Sequence, residues 1–338
     1  MKSKPKILLL TTGGTIATTE TNNGPTPKYL ADTFLKEVPE IYDFCEMDSQ
    51  ALINIDSVNM EYKHWVPMAE AIFRNYNDYD GFVITHGTDT MAYTSSALSY
   101  MLQNLNKPVV ITGGQKSIEQ KSSDAHRNFI DAVKFASEGA AGVYIVFGRK
   151  VILGSRATKV KTKSYDGFKS VNYPYIAQFM EDKIIYSKNR LTFSTREKLR
   201  LETDFCEDVL LIKLTPGFKL EFFEKIKDLY SGFVIEGFGN GGVPFLNRDI
   251  FSKINDISED GKPVVLTTQC LYEGTNLGRY FIQGKISQSD IIDGKDMSKE
   301  ASFVKLMWVL GKTNNLDKIK ELMYKPVNQD LQEDWIFG

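Results

Sequence analysis

The early part of the chain repeats one pattern: a short, β-branched apolar run that closes on polar or glycine-rich residues. The runs cover residues 6–12, 81–85, 108–112 and 142–147. Between them apolar side chains fall at helical spacing; after Thr90, residues Met91, Leu98, Met101, Leu102 and Leu105 build one face. Continuous apolar strands alternating with amphipathic helices predict a parallel sheet covered on both sides. From residue 189 to residue 208 the chain turns charged and loses its periodicity, which predicts a linker over 191–208 between domains at 1–190 and 209–338. A second strand–helix series follows, with strands expected at 209–214, 232–236 and 263–268. A closing helix carries Phe303, Leu306, Met307, Val309 and Leu310. No internal repeat or low-complexity segment interrupts the pattern.

Length supports the division, since 338 residues exceed what one hydrophobic core usually organises. A net charge of −2 offers no basic field for nucleic acid or for an anionic membrane. Three widely separated cysteines, Cys45, Cys206 and Cys270, argue against a disulfide framework and fit a reducing compartment. The apolar run Ile7-Leu8-Leu9-Leu10 is shorter than the roughly 7–15 residues of an export signal. No segment approaches the ~20 apolar residues of a membrane span. The expectation is a cytoplasmic protein.

Four segments carry candidate chemistry, and each has a plain structural reading beside it. Thr11-Thr12-Gly13-Gly14-Thr15-Ile16-Ala17 follows the first strand, where a glycine pair permits a tight turn. Neither a dinucleotide fingerprint nor a phosphate loop fits its spacing. A hydroxyl at a strand's carboxyl end, leading into the polar stretch 18–28, suits a nucleophile under a lid. In Thr85-His86-Gly87-Thr88-Asp89-Thr90, either Thr88 or Asp89 can cap the following helix, or Asp89 can meet the amino group of a substrate. In the run from Arg156 to Lys163 alternating basic residues read as a strand with a solvated face, which is kept for Lys161 and Lys163. Lys159 differs if a desolvated, neutral amine takes a proton from a hydroxyl. Asn54-Ile55-Asp56-Ser57 reads as an Asx or serine turn. The three histidines, His64, His86 and His126, show no metal-ligand spacing, and no Gly-x-Ser-x-Gly elbow occurs. Threonine, lysine and aspartate remain as the chemistry.

Order and spacing of these segments resemble the bacterial L-asparaginase family over essentially the whole chain. Thr12-Gly13-Gly14-Thr15-Ile16-Ala17 and Thr85-His86-Gly87-Thr88-Asp89-Thr90-Met91 stand where that family has its two signature motifs. The absence of an export signal resembles the cytoplasmic, type I branch. The resemblance implies a larger N-terminal parallel-sheet α/β domain, a smaller C-terminal α/β domain, and a homodimer or homotetramer. It implies hydrolysis of L-asparagine to L-aspartate and ammonia through a threonine-bound acyl-enzyme, with no cofactor and no metal. The matching catalytic positions are Thr15 as nucleophile, with Thr88 the alternative, and Thr88, Asp89 and Lys159 as the proton-relay group. The matching substrate-binding positions are Asp56, Ser57, Val58, Thr88, Asp89 and Gly114.

Three departures stand out. The loop position often held by a tyrosine is Pro25, and Tyr29 follows four residues later. Val58 replaces a glutamine frequent in exported members, and Gly113-Gly114-Gln115-Lys116-Ser117 lacks an expected proline. Thr268-Gln269-Cys270 matches a regulatory sequence of some members, but Glu236 stands where an arginine would receive a second asparagine, so hyperbolic kinetics are expected. Two rival readings remain. One is an ammonia-supplying component of a tRNA-dependent amidotransferase, which the fourteen residues before Thr15 disfavour; the other is a non-catalytic amino-acid sensor.

Overall fold

The computed structural model describes residues 3–14, 18–21, 24–27, 35–120, 122–138, 140–187, 197–277 and 290–332, with backbone only over 18–21 and 24–27. Thr15, Tyr29 and residues 191–196 of the expected linker lie outside these. The chain divides into two compact units, Met1–Thr203 and Asp204–Gly338.

The first unit is built on an eight-stranded sheet. Its strands are β1 (Lys6–Gly13), β2 (Glu46–Ile55), β3 (Gly81–Thr85), β4 (Pro108–Thr112), β5 (Gly142–Phe147), β6 (Lys150–Leu153), β7 (Ala177–Met180) and β8 (Lys183–Tyr186). They lie in the order β8-β7-β6-β5-β4-β3-β1-β2. The five strands from β2 to β5 in that order are parallel, and β6, β7 and β8 join antiparallel. Helices α1 (Tyr62–Arg74), α2 (Met91–Met101) and α3 (Ala125–Ser137) make the crossovers into β3, β4 and β5.

Burial explains which strands the apolar pattern finds. The side chains of β3, β4 and β5 are buried throughout, so these strands read as unbroken apolar runs. Strand β2 is different: it is an edge strand, half its positions face water, and its sequence EMDSQALINI is continuously apolar only over Ala51-Leu52-Ile53. Strands β6, β7 and β8 have four residues each and pair antiparallel, so the sheet is mostly rather than wholly parallel. Helix α2 ends at Met101; Leu102 enters a two-residue strand, Leu102–Gln103, that pairs antiparallel with Arg200–Leu201. Part of the expected linker therefore forms structure with the first unit. Within the stretch expected as an irregular loop, Thr18–Thr21 and Gly24–Pro27 pair as an antiparallel hairpin.

In the second unit β9 (Val209–Lys213), β10 (Gly232–Gly237), β11 (Val264–Thr268) and β12 (Ile292–Asp293) form a parallel sheet in chain order. Among the described residues four helices accompany it: α4 (Glu221–Ile226), α5 (Ile250–Glu259), α6 (Lys299–Leu310) and α7 (Leu316–Tyr324). Helix α6 is the one expected to close the chain, and α7 follows it. Lys305 of α6 and Asp330 form a fully buried ion pair, Nζ to Oδ2 2.8 Å. The end of β11 is spent on backbone: Thr268 Oγ1 donates to the Gly239 carbonyl, and Gln269 Nε2 donates to Leu214 O at 2.7 Å and Glu236 O at 3.0 Å.

Candidate active site

The strand order reverses at β1, which has β2 on one side and β3 on the other. At such a reversal the loops leaving the carboxyl ends diverge and open a crevice. Here the loops after β1, β2, β3 and β4 meet with almost no space between their backbones. Gly13 and Gly14 have φ of +92° and +82°, a left-handed conformation that glycine adopts without strain. A Cβ on Gly14 would lie 2.4 Å from Gly87 N, and one on Gly87 would lie 2.4 Å from Ser57 Oγ. One on Gly113 would lie 2.3 Å from His86 O. Close approach is thus the physical reason for glycine at 14, 87 and 113.

Four of the expected site residues come together at this junction. Lys159 Nζ donates to Thr88 Oγ1 at 2.7 Å and to Asp89 Oδ1 at 2.6 Å. Ser57 Oγ accepts from Asp89 N at 3.3 Å, and Ser57 O accepts from Thr90 Oγ1 at 2.7 Å. Thr88 and Ser57 are buried, whereas the Asp89 side chain is 53% exposed and the Lys159 side chain 16%. Helix α2 has no side-chain cap, because Thr88 and Asp89 turn to Lys159 and Thr90 turns to Ser57. Lys159 reaches the site from a short strand, Ala157–Lys159, paired antiparallel with Phe168–Ser170. Its neighbours stay out: Lys163 is exposed, and Lys161 pairs with Asp166 at 2.7 Å on the surface.

Other expected residues are placed differently. Asp56 is exposed and accepts from Val58 N at 3.2 Å, which is the Asx-type turn, and the Val58 side chain points to solvent at 63% exposure. Gly114 is buried at the foot of the loop after β4. That loop needs no proline, since the Asp124 carboxylate accepts from Gln115 N at 3.0 Å and from Lys116 N at 3.2 Å. Asn128 Nδ2 then donates to Gly113 O at 3.0 Å. Thr15 lies outside the described residues. Among the described residues no group of three or more His, Cys, Asp or Glu is arranged to hold a metal ion.

The family "Asparaginase, N-terminal" matches residues 6–192, and the family "Glutaminase/Asparaginase C-terminal domain" matches residues 208–323. The chain belongs to the asparaginase/glutaminase family.

An L-asparaginase of Thermococcus kodakarensis is 38% identical to this family member, over 95% of this chain and 98% of that protein. One component of the glutamyl-tRNA(Gln) amidotransferase of Pyrococcus abyssi is also 38% identical, over 94% of this chain and 75% of that protein. The solved structure of the thermostable L-asparaginase from Thermococcus kodakarensis superposes with a TM-score of 0.91 at 36% identity, covering 97% of this chain and 99% of that one. These relatives come from archaea, so the match establishes the family rather than its bacterial branch.

Within this asparaginase-family site, the sequence pattern missed the groups that hold the loops. His86 is fully buried, and burial pushes its imidazole down to about 4. It bonds Gly87 O and Thr94 Oγ1. Asp124 and Asn128 hold the loop after β4. A lone histidine after a strand and an Asp at a helix start carry no spacing signal, because their partners are mostly backbone groups of nearby loops, which any residue type supplies.

Proposed function

We propose that the chain is an L-asparagine amidohydrolase that releases aspartate and ammonia through a threonine ester. The observation that carries this reading is Lys159 Nζ within 2.7 Å of a buried threonine hydroxyl and 2.6 Å of a carboxylate, at the carboxyl edge of a parallel sheet. An amine in hydrogen-bond reach of a hydroxyl can pass a proton to or from it. Thr15 is assigned the attack on the side-chain amide carbon, with Thr88 the alternative. The attacking oxygen forms an ester bond, the C–N bond breaks, and the hydroxyl proton leaves with ammonia. A water then attacks the ester carbon, the bond from that carbon to the threonine oxygen breaks and aspartate leaves; the Thr88–Lys159 pair takes the water's proton and a proton returns to the threonine oxygen. Asp89 is assigned the substrate's ammonium and Ser57 its α-carboxylate, with Asp56, Val58 and Gly114 lining the remainder. The reading includes a homodimer or homotetramer in the cytoplasm, the type I kind, with domains at 1–190 and 209–338. Three free cysteines and the lack, among the described residues, of a helix long and apolar enough to cross a membrane support that setting.

The similarity to an amidotransferase component favours a second reading, ammonia supply to a glutamyl-tRNA(Gln) amidotransferase. One assay separates them: ammonia release by the purified chain with asparagine and glutamine side by side. The expected result is turnover of asparagine by the chain alone, preferred about 10–200-fold over glutamine, the usual worth of one methylene. Release that requires partner proteins and charged tRNA supports the second reading. Aspartate binding without any ammonia would make the chain a sensor.

A further inference from the structure

A relay of hydrogen bonds runs from helix α1 to the loop after β3 through a histidine that the proposed chemistry leaves unused. Trp65 Nε1–H donates to Thr94 Oγ1 at 3.0 Å. Thr94 Oγ1 lies 2.9 Å from His86 Nε2, and His86 Nδ1 lies 2.6 Å from Gly87 O. A carbonyl only accepts, so the network assigns the ring hydrogen to Nδ1 and leaves Nε2 bare. The Thr94 hydroxyl then donates to Nε2, and its oxygen accepts from the indole. Each donor meets one acceptor, and reversing any one of them leaves a buried polar atom unsatisfied. His86 and Thr94 are fully buried and Trp65 nearly so. Burial holds the imidazole neutral, its pKa pushed down to about 4, so the two ring nitrogens keep distinct roles at neutral pH.

The carbonyl at the end of this relay belongs to the peptide that joins Gly87 to Thr88. That peptide is planar, so holding its oxygen sets the plane and with it the Cα of Thr88. On the other side Gly87 has no room to move, because Ser57 Oγ and the Gly14 backbone crowd its Cα. The backbone N–H of His86 is tied to Thr112 O at 2.8 Å. What remains free is rotation of the Gly87–Thr88 peptide, and the imidazole stops it. We propose that His86, as the Nδ1–H tautomer braced by Thr94 and Trp65, is a positioning residue that aims the Thr88 hydroxyl at Lys159. The role rests on the amidohydrolase reading and goes beyond it, since His86 touches neither substrate nor reacting atoms.

The test uses the full chain with asparagine, plus ring 15N shifts of the three histidines at pH 7. Thr94→Val keeps the shape and removes the hydroxyl; it is expected to lower kcat about tenfold with KM near wild type. Thr94→Ser keeps the hydroxyl and is expected to restore kcat. His86→Phe is expected to lower kcat about 100-fold, the effect of misplacing a reacting group by about an ångström. Circular dichroism and thermal melts confirm that each variant is folded at the assay temperature. The 15N shifts are expected to show a neutral Nδ1–H ring for His86. Unchanged kcat in folded Thr94→Val and His86→Phe, equal loss in Thr94→Ser and Thr94→Val, or an Nε2–H ring overturns the positioning role while leaving the amidohydrolase reading standing. A wild-type chain that releases no ammonia sinks that reading, and this role with it, whatever the tautomer.

Discussion

The first unit threads β1 between β2 and β3, whereas the second lays β9, β10, β11 and β12 side by side in chain order. Both sheets bring parallel strands to a common carboxyl edge, and both end strands in threonine: Thr85 and Thr112 in one, Thr268 in the other. Their polar side chains fare differently. In the first unit the loops on either side of β1 close on one another, and Thr88, Asp89, Ser57 and Lys159 gather at that junction. In the second, among the described strands, the order does not reverse, and Thr268 and Gln269 donate to the backbone carbonyls of Gly239, Leu214 and Glu236. Strand order, more than composition, decides which edge can hold a ligand.

The sharpest way to break this comparison is Lys159→Met. Loss of a positioned proton-transfer group is worth about 10²–10⁴-fold, so kcat for asparagine is expected to fall by at least the lower figure. Lys161→Met and Lys163→Met should remain near wild type, since both side chains stand in solvent. Equal losses in all three would mean that bulk positive charge, not the 2.7 Å contact with Thr88, matters.

In the second unit the vulnerable groups should be structural. Lys305→Met removes the ammonium from a carboxylate buried at 0% exposure and is expected to cost about 3–5 kcal/mol of stability. Denaturant unfolding measures it, and adding Asp330→Leu should recover much of the loss. Activity per folded molecule should stay close to wild type; a selective loss of kcat with stability intact would place chemistry in this unit.

Acid should separate the units more gently. All three histidines fall in the first unit, and His86 is neutral there down to about pH 4, against 6.5 for the ordinary group. Between those values the unfolded chain binds the proton and the folded chain does not. Stability from this group is therefore full above pH 6.5 and is lost as pH falls towards 4, by about 3 kcal/mol. Denaturation midpoints of wild type and His86→Phe between pH 7 and pH 4 check this, with the shallower slope expected in the variant. The smallest expected effect is at Cys270: rate should depend hyperbolically on asparagine, and Cys270→Ser should leave the curve unaltered. A Hill coefficient clearly above one that Cys270→Ser or Glu236→Gln abolishes would show that the second unit regulates the first.

The strands buried on both faces were legible in the residues themselves. Residues 81–85, 108–112 and 142–147 appear in the structure where the apolar runs place them, because a strand covered on both sides has no room for polar positions. The glycine-rich strand ends were legible too. Of Thr88, Asp89 and Lys159, singled out by resemblance to a known family, the lysine lies within hydrogen-bond reach of the other two, while Thr15 lies outside the described residues. The remainder depends on packing. Edge strand β2 and antiparallel strands β7 and β8 carry no continuous apolar signal, because one face of each meets water, and β6 is buried but offers only three apolar residues. The distance of Lys159 from Thr88, seventy-one residues apart, depends on a hairpin folding back across α2, and no local spacing encodes it. The bracing of the Gly87 carbonyl by His86, Thr94 and Trp65 likewise exists only when α1, α2 and the end of β3 pack together. Local pattern reports what each segment must bury; only the packed chain reports which polar groups are left to face one another.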